Sequence, residues 1–468
     1  MEHSIYKYIL RYSKKEQIIL TLMAVLSFPF LWAFLSLPKI IINQAINGKD
    51  ISFPVEYFGL EFDQKAFLYL IMGAFLLLVI ANQTFKYIIN VYQGITGERM
   101  LRRLRYELYG RILRFPLTTF RKKSQGEIIP MITGEVEPLG GFIGEAFALP
   151  IFQGGYLLVT IAFLLVQNWI MAVAAVALYP LQAYFIPKLQ KQVNLLGKQR
   201  VRLVRTLSDQ LGETVSGIQE VHSHDGSNYL RARFSNQLHS IYMVRYRIYL
   251  LKFIIKFLNN FIQQLGPFFF YTIGGTLAIN GSLEVGTLVA AIGAHKEMAA
   301  PWKELLAYYQ RREDARIKYE QVVEQFEPAG MRDESYQTEE PDEIPHLEGE
   351  LAASNLELAD DTGSTLLEGL SARFPLDKRV AIIGPAGSGR EALTLVLARL
   401  IDPDRGRLNA GDINFAAASE ALIGRRIAYV GQSGYIFNAT LGDNLFFGLR
   451  HRPLREKAYE NDAKTEHE

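Results

Sequence analysis

The sequence predicts an α-helical membrane domain of six transmembrane helices with long cytoplasmic extensions, followed by a partial α/β domain. Three observations predict this fold: uncharged apolar stretches of about 20 residues, basic segments between them, and later short strands with a glycine-rich turn. Hydrophobic residues make up 49% of the 468 residues and charged residues only 21%. We therefore expect a membrane domain over residues 1–327 and a smaller soluble part after it.

Five uncharged stretches are long enough to cross a bilayer core of ~30 Å, which takes about 20 apolar residues in a helix. A sixth stretch contains His295, Lys296 and Glu297, so its lower half needs water, a cavity or protein around it. Buried helices of soluble proteins rarely stay uncharged over such lengths, which disfavours a soluble fold. The predicted spans are approximately 18–37, 66–90, 146–168, 169–187, 257–279 and 285–306.

Basic residues are concentrated after the second, fourth and sixth spans, whereas the turns at 167–168 and 280–282 carry none. The positive-inside rule therefore places both termini in the cytoplasm, and we expect a multi-pass protein of a bacterial inner membrane in contact with lipid. The position of the arginine-rich segments next to membrane spans is sufficient to explain them. Because the net charge is only +2, the sequence does not favour nucleic-acid binding. The chain has no cysteine, which excludes disulfides and thiol chemistry.

The basic segments keep helical periodicity, so the spans are expected to continue as helices beyond the membrane. Residues 189–211 and 306–326 behave in this way, as does the segment after the second span. In that segment the apolar residues are Met100, Leu101, Leu104, Leu108, Ile112 and Leu113.

The soluble part begins after an acidic segment rich in turn-forming residues, 328–345, which is predicted to be a flexible linker. Over 346–449 the pattern changes to alternating strands, then a compact strand RVAIIG that we expect to be buried, the turn GPAGSGRE and an apolar helix EALTLVLARLI. Strand, glycine-rich turn and helix in this order predict a phosphate-binding loop. Residues 450–468 form a polar tail.

The candidate phosphate contacts are Gly384, Gly387, Ser388 and Gly389, because glycines let successive backbone N–H groups point at phosphate oxygens near a positive helix end. Arg390 and Glu391 follow directly and complete the candidate site.

The chain resembles the exporter-type ABC transporters. The resemblance is carried by LRYELYGRILRFPLTTFRKKSQGEIIPMITGEVEPL, by LGETVSGIQEVHSHDGSNYLRARF and by GSLEVGTLVAAIGAHKEMAAPWKELLA, and the soluble part is similar to a P-loop NTPase-like nucleotide-binding domain. The resemblance implies short cytoplasmic coupling helices, which we expect at residues 143–146 and 222–228. The histidines of the second segment, His222 and His224 with Asp225, are interpreted as solvated side chains rather than metal ligands.

The resemblance also implies ATP and Mg²⁺ as cofactors, but the site departs from the family pattern. Arg390 stands where the family has lysine, and Glu391 stands where it has the serine or threonine that holds Mg²⁺. Gln432 matches the glutamine that usually reaches Mg²⁺ and the attacking water, and is the metal-binding candidate. Ala359 and Asp360 lie where an aromatic residue would stack on adenine. We therefore expect weak or absent nucleotide binding, and no residue is assigned a catalytic role.

The sequence contains no LSGGQ-type motif, no following acidic strand end and no switch histidine, so 346–449 is expected to be the N-terminal half of a nucleotide-binding domain. A separate chain or a further C-terminal region would complete it, and autonomous ATP hydrolysis is not expected. The resemblance implies a half-transporter that pairs with a second copy or a paralogue and moves an unknown substrate. The alternatives are a non-hydrolysing subunit, a regulatory or docking membrane protein, and an inactive N-terminal fragment.

Overall fold

The computed structural model describes residues 1–48, 51–57, 60–123, 125–177, 179–338, 343–360, 362–431 and 434–451. The chain is mostly helical, and π-helical turns at Ile41–Ile46, Met131–Glu135 and Phe270–Gly274 extend or join helices. The helices are α1 (Ile5–Tyr12), α2 (Lys14–Ile40), α3 (Gln64–Ile112), α4 (Leu117–Lys122), α5 (Gln125–Pro130), α6 (Glu137–Glu145), α7 (Ala148–Gln167), α8 (Trp169–Val176), α9 (Tyr179–Ser216), α10 (Ile218–Ser223), α11 (Ser227–Phe269), α12 (Gly275–Ile279), α13 (Val285–Gln325), α14 (Ser335–Thr338), α15 (Arg390–Leu397), α16 (Glu420–Arg426) and α17 (Leu441–Leu445).

The strands form two antiparallel sheets. The first is a hairpin of β1 (Val55–Tyr57) and β2 (Leu60–Phe62). The second has the order β4-β3-β5-β6, and its strands are β3 (Glu350–Ala359), β4 (Thr365–Pro375), β5 (Arg405–Ala410) and β6 (Ile413–Asn414).

The chain divides into two compact units. Residues 15–93 and 145–312 form one, here called the membrane unit. Residues 1–14, 94–144 and 313–468 form the other, here called the glycine-loop unit because it contains the predicted phosphate loop.

Within the part of the chain that the structure describes, four helices are long and apolar enough to cross a membrane: Lys14–Ile46, Gln64–Ile112, Ala148–Gln167 and Trp169–Ser216. These coincide with the first four predicted spans, although the third helix is shorter than the predicted 146–168. The predicted fifth span falls on α11, a π-helical turn and α12, where Asn259 and Asn260 lower the hydropathy, and the sixth falls on α13. The count of six therefore stays a prediction.

A dense apolar cluster holds the membrane unit together. It joins α2, α7, α8 and α13 through side chains that include Leu35, Phe163, Met171 and Met298, and Phe270 contributes from the π-helical turn after α11. Phe163, Met171, Phe270 and Met298 are fully buried, so this cluster excludes solvent completely at its centre.

The predicted continuation of the spans as long helices is confirmed. Helix α3 has 49 residues, α9 has 38 and α13 has 41, each far longer than a bilayer requires. The apolar face predicted after the second span is buried at Met100, Leu101, Leu104 and Leu108, whereas Leu113 is 56% exposed. The periodic apolar positions thus mark the packed face of α3.

In the glycine-loop unit, helix α15 packs on the four-stranded sheet. The core includes Leu351 and Leu356 of β3, Val396 of α15 and Phe415 after β6. The predicted buried strand at 379–384 is wrong: among the described residues this segment has no strand partner, and Ile383 is 90% exposed. A strand requires a hydrogen-bonding neighbour, so the apolar sequence alone does not produce one.

Part of the predicted linker is held by specific contacts rather than free. Nη2 of Arg332 donates to the carbonyl oxygen of Arg399 at 2.7 Å. The backbone N–H of Arg332 donates to the carbonyl oxygen of Arg114 at 3.1 Å. Nε of Arg426 donates to the carbonyl oxygen of Pro345 at 3.0 Å. Residues 339–342 lie outside the described residues.

Candidate nucleotide site

The glycine-rich loop has the backbone conformation of a phosphate cradle. Gly387 and Gly389 have φ of 80° and 77°, a left-handed region that side-chain-bearing residues rarely adopt. Gly389 also lies so close to β4 that a Cβ there would be 2.3 Å from the carbonyl oxygen of Leu366. Helix α15 starts immediately after, at Arg390, so its N-terminal N–H groups face the same space.

A cleft of about 780 Å³ opens over this loop. Five of the predicted site residues line it together: Gly387, Ser388, Gly389, Arg390 and Glu391. Gly384 does not line the cleft but lies behind the loop, where a Cβ would be 2.6 Å from Oγ of Ser388. Gln432 falls outside the described residues.

The cleft carries two positive and two negative side chains among its described lining residues. Arg121 and Arg390 are the cations, and Asp360 and Glu391 are the anions. The hydroxyl of Thr362 donates to the carboxylate of Asp360 at 2.6 Å, which with nearby backbone N–H donors lowers the pKa of Asp360. Asp360 therefore stays ionised at neutral pH, and the cleft has no excess positive charge for a triphosphate.

The lining residues that were not predicted from the sequence include Thr118, Arg121 and Tyr429. Thr118 and Arg121 come from the short helix α4, and Tyr429 comes from the segment before Gly431. Tyr429 is 40% exposed and is the aromatic side chain among the described lining residues. No local signal marks these residues, because they reach the cleft only through tertiary folding.

The short helices differ from the prediction. Residue Ile143 lies within α6 and is fully buried, so it does not belong to an isolated coupling helix at 143–146. A six-residue helix lies earlier, at Leu117–Lys122, where Pro116 precedes it in an extended conformation. The second short helix is Ile218–Ser223, also slightly earlier than predicted, and α11 already begins at Ser227.

His224, which follows α10, has local partners. Nδ1 of His224 lies 2.9 Å from Oγ of Ser223 and 3.1 Å from the carbonyl oxygen of Glu220. Across the described residues, no group of three or more histidine or acidic side chains is arranged to hold a metal ion.

The site fits a phosphate group better than it fits Mg²⁺ bound to a triphosphate. The cradle conformation and the helix N-terminus supply N–H donors for phosphate oxygens. Glu391, however, brings a carboxylate to the first turn of α15, and like charges at ~4–6 Å are unfavourable on a kcal/mol scale. Arg390 is a planar fork rather than a compact ammonium, and the two are not interchangeable at a tight site.

Two family models match the chain. The model described as the ABC transporter transmembrane region matches residues 17–294, which is more than half of the chain. The model described as ABC transporter matches residues 367–467, which include the glycine-rich loop.

Curated relatives are similar over most of the chain at low identity. The ATP-dependent lipid A-core flippase of Chromohalobacter salexigens is 22% identical over 80% of this chain and 64% of its own length. The lactococcin-G-processing and transport ATP-binding protein of Lactococcus lactis is 21% identical over 78% of this chain and 51% of its own. The fatty acid ABC transporter ATP-binding/permease protein of Mycobacterium bovis is 22% identical over 76% of this chain and 56% of its own. The chain thus spans between half and two thirds of these relatives' length.

Proposed function

The chain belongs to the exporter-type ABC transporters, and from this membership we propose that it is the membrane-spanning half of an assembly that moves a substrate across a membrane. The observation that carries the proposal is the presence, in one chain, of long membrane-crossing helices and a glycine-rich phosphate loop. A second copy or a paralogous half-transporter would supply the other half of the pathway.

The proposed orientation has both termini and the extensions of α3, α9 and α13 in the cytoplasm of a bacterial cell, with the protein in the inner membrane. The basic residues on these extensions support it, since positive charge is retained on the cytoplasmic side.

The orientation can be tested directly because the chain has no cysteine, so each introduced cysteine is the single label site. Ser282 lies exposed in the turn before α13, and Ser208 lies exposed on the extension of α9. A membrane-impermeant maleimide should label Ser282→Cys in intact cells and Ser208→Cys only after permeabilisation. The opposite pattern would refute the proposed orientation.

ATP and Mg²⁺ are the cofactors of the family, and we propose that this chain binds them weakly or not at all. The carboxylates of Asp360 and Glu391 in the cleft support this proposal, as does the replacement of the family's lysine by Arg390. In a pair with a paralogue, this cleft would be the silent site of two. A purified assembly that hydrolyses ATP equally at both sites would contradict the asymmetric arrangement.

The same cleft favours a second candidate function, a non-hydrolysing membrane protein whose glycine-loop unit serves as a docking or regulatory module. Thr118 and Arg121 of α4 line the cleft together with the glycine-rich loop, and this arrangement would suit such a module as well as a transporter. ATP hydrolysis by a purified assembly of this chain with its pairing half separates the two, because a transporter assembly needs ATP turnover and a docking module does not.

A further inference from the structure

A second cavity, of about 720 Å³, shares a wall with the glycine-loop cleft. Ile401 lines both spaces, Leu395 of α15 lines the cleft, and Val396 of α15 lines the second cavity. Residues 328–338, here called the strap, follow α13 and contribute Arg332 to the second cavity. Helix α15 and the turn after it therefore line the cleft through some side chains and the space beside the strap through others.

The C-terminal end of α15 is held by Arg399. This residue has a φ of 52°, a conformation that glycine adopts more easily at the ends of helices. Its Nη2 donates to the carbonyl oxygen of Ala416 at 2.8 Å, and its Nη1 donates to the carbonyl oxygen of Ala418. These hydrogen bonds fix the end of α15 to the segment between β6 and α16.

Arg332 of the strap docks on Arg399 through several contacts. Nη2 of Arg332 donates to the carbonyl oxygen of Arg399 at 2.7 Å. Both arginines pair with Asp402, because Nε of Arg332 lies 3.4 Å from Oδ2 and Nε of Arg399 lies 3.5 Å from Oδ1. The hydroxyl oxygen of Tyr336 accepts a hydrogen bond from Nη1 of Arg332 at 2.8 Å. The side chains of Arg332 and Arg399 are only 17% and 8% exposed, so solvent screens these contacts less than it screens surface ion pairs.

The backbone of the same residue docks beside the end of α3. The backbone N–H of Arg332 donates to the carbonyl oxygen of Arg114 at 3.1 Å. Arg114 follows the last residue of α3, Ile112, by two positions and is 9% exposed. A Cβ at Gly330 would lie 4.0 Å from Cγ of Pro116, so the strap lies against the residues that follow α3. Arg332 thus joins the end of α3 through its main chain and the end of α15 through its side chain.

Helix α15 connects this junction to the phosphate cradle. It begins at Arg390, directly after Gly389, and is roughly 12 Å long. A short hydrogen-bonded helix is a rigid element, so a displacement of its first turn also displaces Arg399 at its end. The route from the cradle to α3 uses neither α4 nor α10, and all its residues belong to the glycine-loop unit.

We propose that Arg332 is a positioning residue that couples the state of the glycine loop to the end of α3. A phosphate group in the cradle would displace α15, and Arg399 would pass the displacement to Arg332 and the strap. This inference rests on the proposed use of the cleft by a phosphate-bearing ligand and adds a connection from that cleft to α3. It applies equally to a transporter half and to a regulatory module.

The test perturbs the cradle without a ligand and reads the strap. In Gly389→Ala the new Cβ would lie 2.3 Å from the carbonyl oxygen of Leu366, so the start of α15 has to shift. Hydrogen–deuterium exchange of the full-length chain in detergent is followed in peptides that cover the strap and residues 108–116. We expect exchange in both peptides to rise by roughly fivefold or more, a typical size for coupling between sites. Unchanged exchange in either peptide would overturn the proposal.

Arg332→Gln distinguishes coupling from a purely structural contact. This variant loses the guanidinium contacts with Arg399 and keeps the backbone donor to Arg114. If Arg332 carries the coupling, adding Gly389→Ala to this variant produces no further change in residues 108–116. Equal increments from Gly389→Ala with and without Arg332→Gln would show that the two sites act independently, which contradicts the proposal.

Gly349→Ala is the matched control for backbone strain. Gly349 has a φ of 82° before β3 and lies outside α15 and outside the lining of both cavities, so its replacement should leave strap exchange unchanged. Peptides of β3 and β4 report whether each variant stays folded. If Gly389→Ala unfolds the sheet, Gly387→Ala takes its place, because Gly387 has a φ of 80° and open space around it. An unaltered strap in that folded variant would count against the coupling.

Inorganic pyrophosphate, added to the unaltered chain, tests the coupling from the ligand side. Altered exchange in the α15 peptide and the strap, with the strap response absent in Arg332→Gln, supports the proposal. An altered α15 peptide with an unaltered strap speaks against it. If the α15 peptide does not respond at all, the proposed phosphate site alone is refuted, and the response to Gly389→Ala still decides the coupling.

Discussion

The backbones of α3 and α6 meet at Gly97 and Gly140: a Cβ at Gly97 would lie 2.5 Å from the carbonyl oxygen of Gly140. A Cβ at Gly140 would in turn lie 2.9 Å from Cβ of Leu101. Leu101 and Leu139 beside them are almost completely buried. The glycine-loop unit thus contains a helix crossing that leaves no space for a side chain.

Gly97→Ala is expected to destabilise the full-length chain by about 1–3 kcal/mol, because the opposing atom is a backbone oxygen that cannot rotate away. The apparent melting temperature in detergent, followed by circular dichroism, should fall. Gly94→Ala is the matched control, since the space around Gly94 on the same helix is open. Alanine favours helix over glycine by up to ~1 kcal/mol, so this control should be neutral or stabilising. Equal melting temperatures for the two variants would contradict the close crossing.

Asn43→Ala is expected to lower the stability of the membrane unit by about 1–3 kcal/mol. Oδ1 of Asn43 accepts a hydrogen bond from the buried backbone N–H of Gly286 at 3.0 Å, and its Nδ2 donates to Glu284 at 2.5 Å. Truncation leaves the N–H at the start of α13 without its acceptor. The exposed Asn47, changed to alanine, is the control and should melt like the unaltered protein. Identical melting of both variants would show that the Asn43 contact contributes nothing.

Sequence patterns predicted correctly those features that depend on residues close together in the chain. The apolar positions from Met100 to Leu108 identified the buried face of α3, and Gly387 and Gly389 marked a turn with left-handed backbone conformation. The earlier strand LLEGLSARF, found in β4, and helix α15 also follow from such signals, but the strand predicted directly before the glycine loop does not form among the described residues.

Sequence pattern failed where a structure depends on partners distant in the chain. The segment containing Ile383 is apolar enough for a buried strand, but strand pairing is a property of its neighbours. Arg121 joins the cleft from a helix far earlier in the sequence, and Tyr336 of the supposed linker packs on Arg399. Spacing along the chain carries no information about either contact.

Tyr336→Leu is expected to loosen the segment after α13 by about 0.5–2 kcal/mol, the range of cation–π contacts. The guanidinium carbons of Arg332 and Arg399 lie 4.6 and 4.9 Å from the centroid of the Tyr336 ring. Tyr336→Phe keeps the ring between the two arginines and should retain most of the stability. Limited proteolysis of the full chain around residue 338 reports the loosening, and equal cleavage of both variants would contradict the stacking.

The stability provided by Tyr336 is also expected to depend on pH. Burial raises the pKa of Tyr336 above its ordinary value of 10.0, so the folded protein holds this proton more tightly than the unfolded chain. The contribution is therefore complete below pH ~10 and is lost as pH rises through the higher folded pKa. The melting temperature of the unaltered protein minus that of Tyr336→Phe should fall above pH ~10. A constant difference across that range would show that Tyr336 titrates as in the unfolded chain.

Arg390→Lys combined with Glu391→Thr is expected to raise the affinity of the cleft for MgATP by at least tenfold, about 1.4 kcal/mol. The double change removes a carboxylate from the first turn of α15 and replaces the planar fork with a compact ammonium beside the cradle. Equilibrium titration of the full-length protein with a fluorescent ATP analogue in the presence of Mg²⁺ measures the gain. Glu368→Thr is the control, because Glu368 is exposed on β4 and does not line the cleft, and it should leave the affinity unchanged. If the unaltered chain already binds MgATP as tightly as the double variant, then Glu391 does not oppose the phosphates and the proposal of a weak site is wrong.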